Sequence, residues 1–292
     1  MKKLTIFLIF IALRLNIVGD IREIFLLPST VDETSFMGAV YSLSEEVSCV
    51  FCNPAGIAQN NFKKIQVNYT SIFEDMRNGS VVVSLPNKKL NIGFGVKYFD
   101  LGKTNLVNES GEVKGEKQLS AYEASCVAGT EIFVSGLLVG GGITFRGVST
   151  TKQYFDYLSK VGLIYILPVE QTEIHFGFNI ESGYINELKK FYSSPSLGVK
   201  YYIPEYKTFV VVSYNNFLEG IDFYDISLEL GFVRDVEFIV GYELTEQLNG
   251  LSNSFSVGTR LKFDNEKVNI GLGYRTLNNL GYVFSTGIEF KL

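Results

Sequence analysis

From about residue 62 to its last residue the chain alternates apolar and polar residues in short stretches, and the mid-stretch charges keep to the polar side. Leu90, Ile92, Phe94, Val96 and Tyr98 alternate with Asn91, Gly93, Gly95 and Lys97. Ile174, Phe176, Phe178 and Ile180 alternate with Glu173, His175, Gly177 and Asn179, and Val268 to Arg275 repeats the theme. Side chains of a β-strand point alternately to two faces, so each stretch has one apolar face and one polar face. Lys97, Glu123, Arg146, Lys160, Glu173, Lys200, Glu229, Glu237, Arg260, Arg275 and Glu289 all share the polar parity. A charge turned to the middle of a bilayer costs about 2–4 kcal/mol, so a lipid-facing wall must exclude charges from one parity. The polar face also carries many glycines, among them Gly93, Gly95, Gly142, Gly162, Gly177, Gly198, Gly241, Gly258, Gly271 and Gly273. A solvent-facing sheet surface has no need of so many. An enclosed lumen, narrowed by curvature or partly filled by another segment, does.

About fourteen such stretches run from 64–73 to 281–292. The expected fold is therefore all-β: a transmembrane, antiparallel, up-and-down β-barrel of about 14 strands, its even number returning the chain to the side where it began. Pro86–Lys89, Gly129–Glu131, Pro168–Gln171, Pro204–Lys207, Val233–Asp235 and Asp264–Glu266 read as short turns. The others, led by Leu101–Gln118 and Ser182–Ser193, read as longer loops, the asymmetry expected of an outer-membrane barrel.

Ahead of the barrel, Lys2 and Lys3 precede an apolar run from Leu4 to Leu13, too short for a membrane-spanning helix of about 20 residues. The expected plan is a signal peptide over 1–19, a hatch or plug segment over 20–62 and the barrel over 63–292, placed in a bacterial outer membrane. A net charge of -5 argues against nucleic acid as a partner. Three cysteines are too few for a disulfide framework.

Residues 20–62 do not alternate. They contain Met37-Gly38-Ala39, a helix-like stretch through Leu43 and Glu46, and then Asn53-Pro54-Ala55-Gly56, where Pro54 forbids a central-strand ladder and the Asn-Pro step indicates a turn. With the strand count and the terminal strand, this block resembles the PorV/PorQ-like outer-membrane proteins. These are similar in turn to the FadL-type channels for hydrophobic compounds. The resemblance implies that Asn53, Pro54, Ala55 and Gly56 belong to an N-terminal hatch inside the barrel. The chain departs from that pattern in its length, in ending on Leu292 rather than an aromatic residue, and in Cys49-Val50-Phe51-Cys52.

No pattern for an enzyme emerges. His175 is the single histidine, and no compact motif sets a nucleophile beside it. Cys49 and Cys52 form a lone CxxC without a second pair, read as structural thiols or a local disulfide rather than a metal site. Cys126 shares parity with Tyr122 and Ala124 and is expected to face lipid. No catalytic, metal or cofactor residue is assigned. Lys97, Glu123, Arg146, Glu173, His175, Lys200, Glu229, Arg260 and Arg275 are the expected lumen residues. Tyr184, Ile185, Leu188, Phe191 and Tyr192 are the expected loop contacts for a ligand or partner. Two functions follow from the resemblance. One is passive passage or presentation of small hydrophobic molecules, gated by the plug. The other is a non-transporting attachment or shuttle component of a protein secretion system, with secreted proteins as partners.

Overall fold

A computed structural model describes the chain from residue 24 onward, apart from residues 26, 38, 45, 73–75, 108–112, 133–134, 151–152, 186–189, 207, 217–220, 234, 248–249 and 278–280. The expected signal peptide and Leu188 lie outside the described residues. Fourteen strands are described: β1 Lys64–Ile72, β2 Met76–Leu85, β3 Asn91–Val107, β4 Val113–Glu131, β5 Leu137–Ser149, β6 Gln153–Val169 and β7 Thr172–Ile185. The second half comprises β8 Lys190–Ile203, β9 Thr208–Asn216, β10 Ile221–Val233, β11 Val236–Gln247, β12 Gly250–Phe263, β13 Val268–Thr276 and β14 Tyr282–Lys291. Each pairs antiparallel with its sequence neighbours, and β1 pairs with β14 from Lys64↔Lys291 to Ile72↔Val283, closing the barrel. Leu292 N donates to Lys63 O at 2.8 Å, so the seam holds to the last residue without a terminal aromatic.

The connections differ from expectation. Both ends of the barrel carry short links of two to five residues. The supposed loops Leu101–Gln118 and Ser182–Ser193 are mostly strand, because β3 and β4 pair out to Val107↔Val113 and β7 and β8 out to Ile185↔Lys190. Gly129–Glu131 is likewise strand, since β4 runs through Glu131. The asymmetry lies in strand length. β3 pairs with β2 only to Asp100, and β4 with β5 only to Ser120, so the β3–β4 hairpin rises beyond its neighbours. We call the end where β1 starts and β14 stops the near end, and the hairpin end the far end.

Apolar parity faces outward. Val81, Val96, Val161, Leu197, Val212, Ile226, Val240 and Val257 are all exposed in the middle of their strands. Aromatic residues flank them: Tyr69, Tyr157, Tyr224, Phe255 and Tyr274 towards the far end, Phe94, Tyr165, Phe176, Phe263 and Phe290 towards the near end. Along β12, Phe255 and Phe263 bracket eight steps, about 26 Å of strand at roughly 3.3 Å per residue. A typical tilt reduces this to about 20 Å, close to the apolar band of a membrane barrel. Exposed Cys126 belongs to this outward face.

The inner face packs against the N-terminal segment. Helix α1 (Val31–Ser35) starts at Thr30, whose Oγ1 accepts from Glu33 N at 3.1 Å. Phe36 caps it, and Met37 at φ 56° takes the chain out of helical geometry. The helix therefore precedes the helix-like stretch expected through Leu43 and Glu46, whose described residues carry no regular element until a 3₁₀ turn at Val47–Val50. A second 3₁₀ turn spans Pro54–Gln59. Inward glycines let this segment lie directly on strand backbone. A Cβ at Gly162 would collide with Asn53 Oδ1, and one at Gly95 would come within 2.6 Å of the Phe51 ring. Of the ten glycines named on the polar parity, all but Gly142, which is crowded by Val127 of β4, mark where the segment fits.

Val161, outward on β6, provides the check on orientation. Val161→Arg is expected to cost about 2–4 kcal/mol in denaturant unfolding from phospholipid vesicles. An unchanged midpoint would mean that this face does not meet lipid.

Candidate functional site

Asn53 joins the N-terminal segment to the wall. Its Oδ1 accepts from Ala55 N at 3.1 Å, capping the 3₁₀ turn that begins at Pro54. Its Nδ2 faces Tyr41 O at 2.6 Å and, on the wall, Leu163 O and Phe178 O at 3.3 Å each. Leu163 and Phe178 are a cross-strand pair of β6 and β7, so one amide ties the turn to both strands. Pro54, Ala55 and Gly56 are buried with it. Gly56 is needed for packing, since a Cβ there would strike Cys49 Sγ.

Inward charges assemble into networks that cross from segment to wall. Lys97 Nζ donates to Glu33 Oε1 at 3.0 Å and stands 4.2 Å over the Phe51 ring. Glu123 accepts from Arg146 Nε at 2.6 Å, and Arg146 Nη1 reaches Glu181 at 2.8 Å. Lys160 pairs with Glu181 at 3.3 Å and donates to Phe51 O at 2.7 Å. Towards the near end, Arg260 collects Asp32 at 2.9 Å, Glu46 at 3.2 Å and Glu237 at 3.1 Å. Arg275 holds Glu243 through contacts of 2.8 and 2.7 Å. Burial alone would raise the Glu33 carboxyl, but the Lys97 charge and bonds from Ser29 N and Oγ outweigh it and hold its pKa below the ordinary 4.5.

Most of the expected lumen residues point inward, with one exception. Lys97, Glu123, Arg146, His175, Glu229 and Arg275 are buried, and Arg260 and Lys200 nearly so. Glu173 shares their parity but is 61% exposed, because it stands at the near-end rim where the lumen opens to solvent. His175 Nδ1 lies 3.4 Å from Ser44 Oγ and its Nε2 lies 3.3 Å from Glu173 Oε2. The structure thus gives His175 partners that no sequence motif announced. Both contacts are long; the first ties the segment to β7, and the second stays within β7.

The expected loop contacts are corrected. Tyr184 and Phe191 are a cross-strand pair on β7 and β8, exposed on the outer surface. Ile185 closes β7. Tyr192 turns inward and donates to Glu181 at 2.8 Å, joining the ion network instead of a loop surface. Cys49 and Cys52 are both buried free thiols. Burial pushes both thiols above their ordinary value, with Glu46 and Asp32 adding at Cys49 and Glu33 at Cys52. This environment suits inert packing groups rather than reactive ones.

On the far side of the segment lies a cavity of about 120 Å³. The segment supplies Phe25, Leu27, Met37, Val40 and Phe51, and the wall supplies charged and amide side chains, with Glu181, Asp225 and Glu243 beside the residues already anticipated. Glu181 and Asp225 share the inward parity of Asn179 and Glu229, so the alternation marks them too; Glu33 has no such signal.

No family model matches the chain, and no curated protein matches it. Solved structures do. The chain is similar to the toluene transporter TodX of P. putida (TM-score 0.66, 10% identity, 91% of this chain and 99% of that one). It is also similar to the toluene transporter TbuX of Ralstonia pickettii (TM-score 0.64, 9% identity, 91% and 98%). A TodX variant described as a monoaromatic hydrocarbon channel aligns at TM-score 0.63 and 10% identity, covering 89% and 96%. At such identity the likeness is one of fold: a closed antiparallel barrel of fourteen described strands.

Two perturbations test the bond between segment and wall. Lys97→Met leaves Glu33 buried without its cation and is expected to cost about 3–5 kcal/mol. The depressed Glu33 pKa means that this pair contributes fully above pH 4.5 and fades as pH falls through the folded value. Limited proteolysis of residues 24–62 should therefore accelerate on acidification in the parent. In Lys97→Met it should already be fast at neutral pH. Equal rates in both proteins at neutral pH would show that Lys97 does not anchor the segment.

Proposed function

We propose that the chain is a passive outer-membrane channel for small hydrophobic molecules, with the N-terminal segment as its gate. The observation that carries this reading is the cavity between segment and wall. At about 120 Å³ it approaches the scale of the roughly 150 Å³ apolar cavity that accepts benzene. The fold shared with the toluene channels supports a solute of that size. The short far-end links supply no large capturing loop, so a solute would enter between the hairpins and meet Phe25 and Leu27 first. Asn53 is the element to move, since it joins turn, β6 and β7 through one side chain. No energy-coupling motif is visible, so flux follows the gradient.

A second reading is favoured by the ion pairs themselves. Glu33–Lys97 and Asp32–Arg260 bolt the segment to two separate strands of the wall, β3 and β12, as suits a sealed barrel serving a secretion system as an attachment component. That reading rests otherwise on the resemblance of residues 37–56 to PorV/PorQ-like proteins.

Uptake of labelled toluene and of a fluorescent long-chain fatty acid into proteoliposomes separates the two. The channel reading expects toluene uptake above empty liposomes and a several-fold rise with Asn53→Ala. Silence from the parent and from Asn53→Ala, with leak only on deleting residues 20–62, would assign a sealed scaffold.

A further inference from the structure

The cavity has a chemical bias that an apolar solute does not use. Resting on its reading as a ligand site, we infer that it takes a small amine with an apolar body, the ammonium group seated against Asp225. Five carboxylates line it, Glu33, Glu123, Glu181, Asp225 and Glu243, against three cations, Lys97, Arg146 and Arg275. Four of the five have a cation within 4.0 Å: Glu33 has Lys97, Glu123 has Arg146, Glu181 has Arg146 and Lys160, and Glu243 has Arg275. Asp225 has none among the described residues; its Oδ2 accepts from Ser213 Oγ at 2.8 Å, and the residue directly across the strand pair is a second carboxylate, Glu243, which Arg275 holds. It is 3% exposed, and its Oδ1 meets no donor. A buried carboxylate left this way is costly unless a positive partner arrives.

The other orphaned atoms agree. Glu123 Oε1, with the Lys97 and Lys160 ammoniums each 4.0 Å away, and Asn179 Oδ1 also border the cavity and accept no hydrogen bond among the described residues. Against these three acceptors stands one unpartnered donor, Arg275 Nε. The cavity thus asks for a group rich in N–H donors, and a primary ammonium offers three. A carboxylate-bearing solute would instead face the unpaired Asp225. The apolar side, with Phe25, Met37, Val40 and Phe51, suits a ring or short alkyl body better than a bare metal ion. No group of three or more metal-ligating His, Cys, Asp or Glu side chains occurs among the described residues.

Calorimetric titration of the full chain in detergent micelles tests this with four probes of one size: benzylamine, benzyl alcohol, toluene and benzoate. Benzylamine should bind about 10-fold tighter than benzyl alcohol, the scale of one charge-assisted hydrogen bond, and benzoate should bind weakest. Asp225→Asn, nearly isosteric, should abolish the preference for benzylamine over benzyl alcohol. Equal binding of benzylamine and benzyl alcohol would overturn the inference, with Asp225 then carrying a proton; toluene binding would leave the channel reading standing. Displacement of benzylamine by potassium at equal affinity would assign an inorganic cation and also overturn it. Failure of all four probes would remove the ligand site and, with it, the channel reading.

Discussion

Everything in this molecule depends on a wall in which each backbone donor finds its acceptor in the next strand. Lipid offers no hydrogen bonds, so a sheet in a bilayer must close on itself. The β1–β14 seam does this over nine residue pairs, from Lys64↔Lys291 to Ile72↔Val283. Closure fixes an inside and an outside. The period of two then assigns every side chain to one or the other: Val81, Val96 and Leu197 outward, the networked charges inward together with Val82, Val127 and Val211, which pack on the segment.

A closed wall creates a second demand, because its interior must be filled or wet. Here the filling is a piece of the same chain, laid so close to the strands that Gly162 and Gly95 have no room for a side chain. The fit leaves polar groups without water. Lys97, Arg146, Lys160 and Arg260 answer with carboxylates drawn from segment and wall alike. The ion pairs are thus a consequence of filling a polar lumen with protein, and they join two elements that sequence order keeps apart. Asp225 stands outside that settlement and gives the far-side cavity its character.

The legible part of this structure was the part with a period. Leu90 to Tyr98 announces its strand because lipid and lumen impose opposite chemistries on adjacent residues. Beyond Asp100 that contrast ends. The register shifts between Asp100 and Lys103, Gly102 adopts φ 79°, and Lys103, Thr104 and Asn105 read as a polar loop although they are paired strand. Ser193 and Pro195 hide the end of β8 in the same way. The Asn53-Pro54 step was legible as a turn from its own chemistry. Its contacts to Leu163 and Phe178 were not, because they are made across more than a hundred residues of sequence. Tyr192 illustrates the same limit: its neighbours suggest a loop, and its hydroxyl belongs to Glu181.

The seam between β1 and β14 has a consequence for how the segment is held. Phe36, Met37 and Ile57 are almost fully buried within a ring of fourteen strands that has no side opening in its described pairings. Breaking every salt bridge to the wall would loosen the segment without releasing it, since it can depart only lengthwise through an end. Its retention is therefore a matter of enclosure as well as affinity. The simplest route to that state is wrapping: strands gather around a segment already present, and the first and last strands lock it in when they meet.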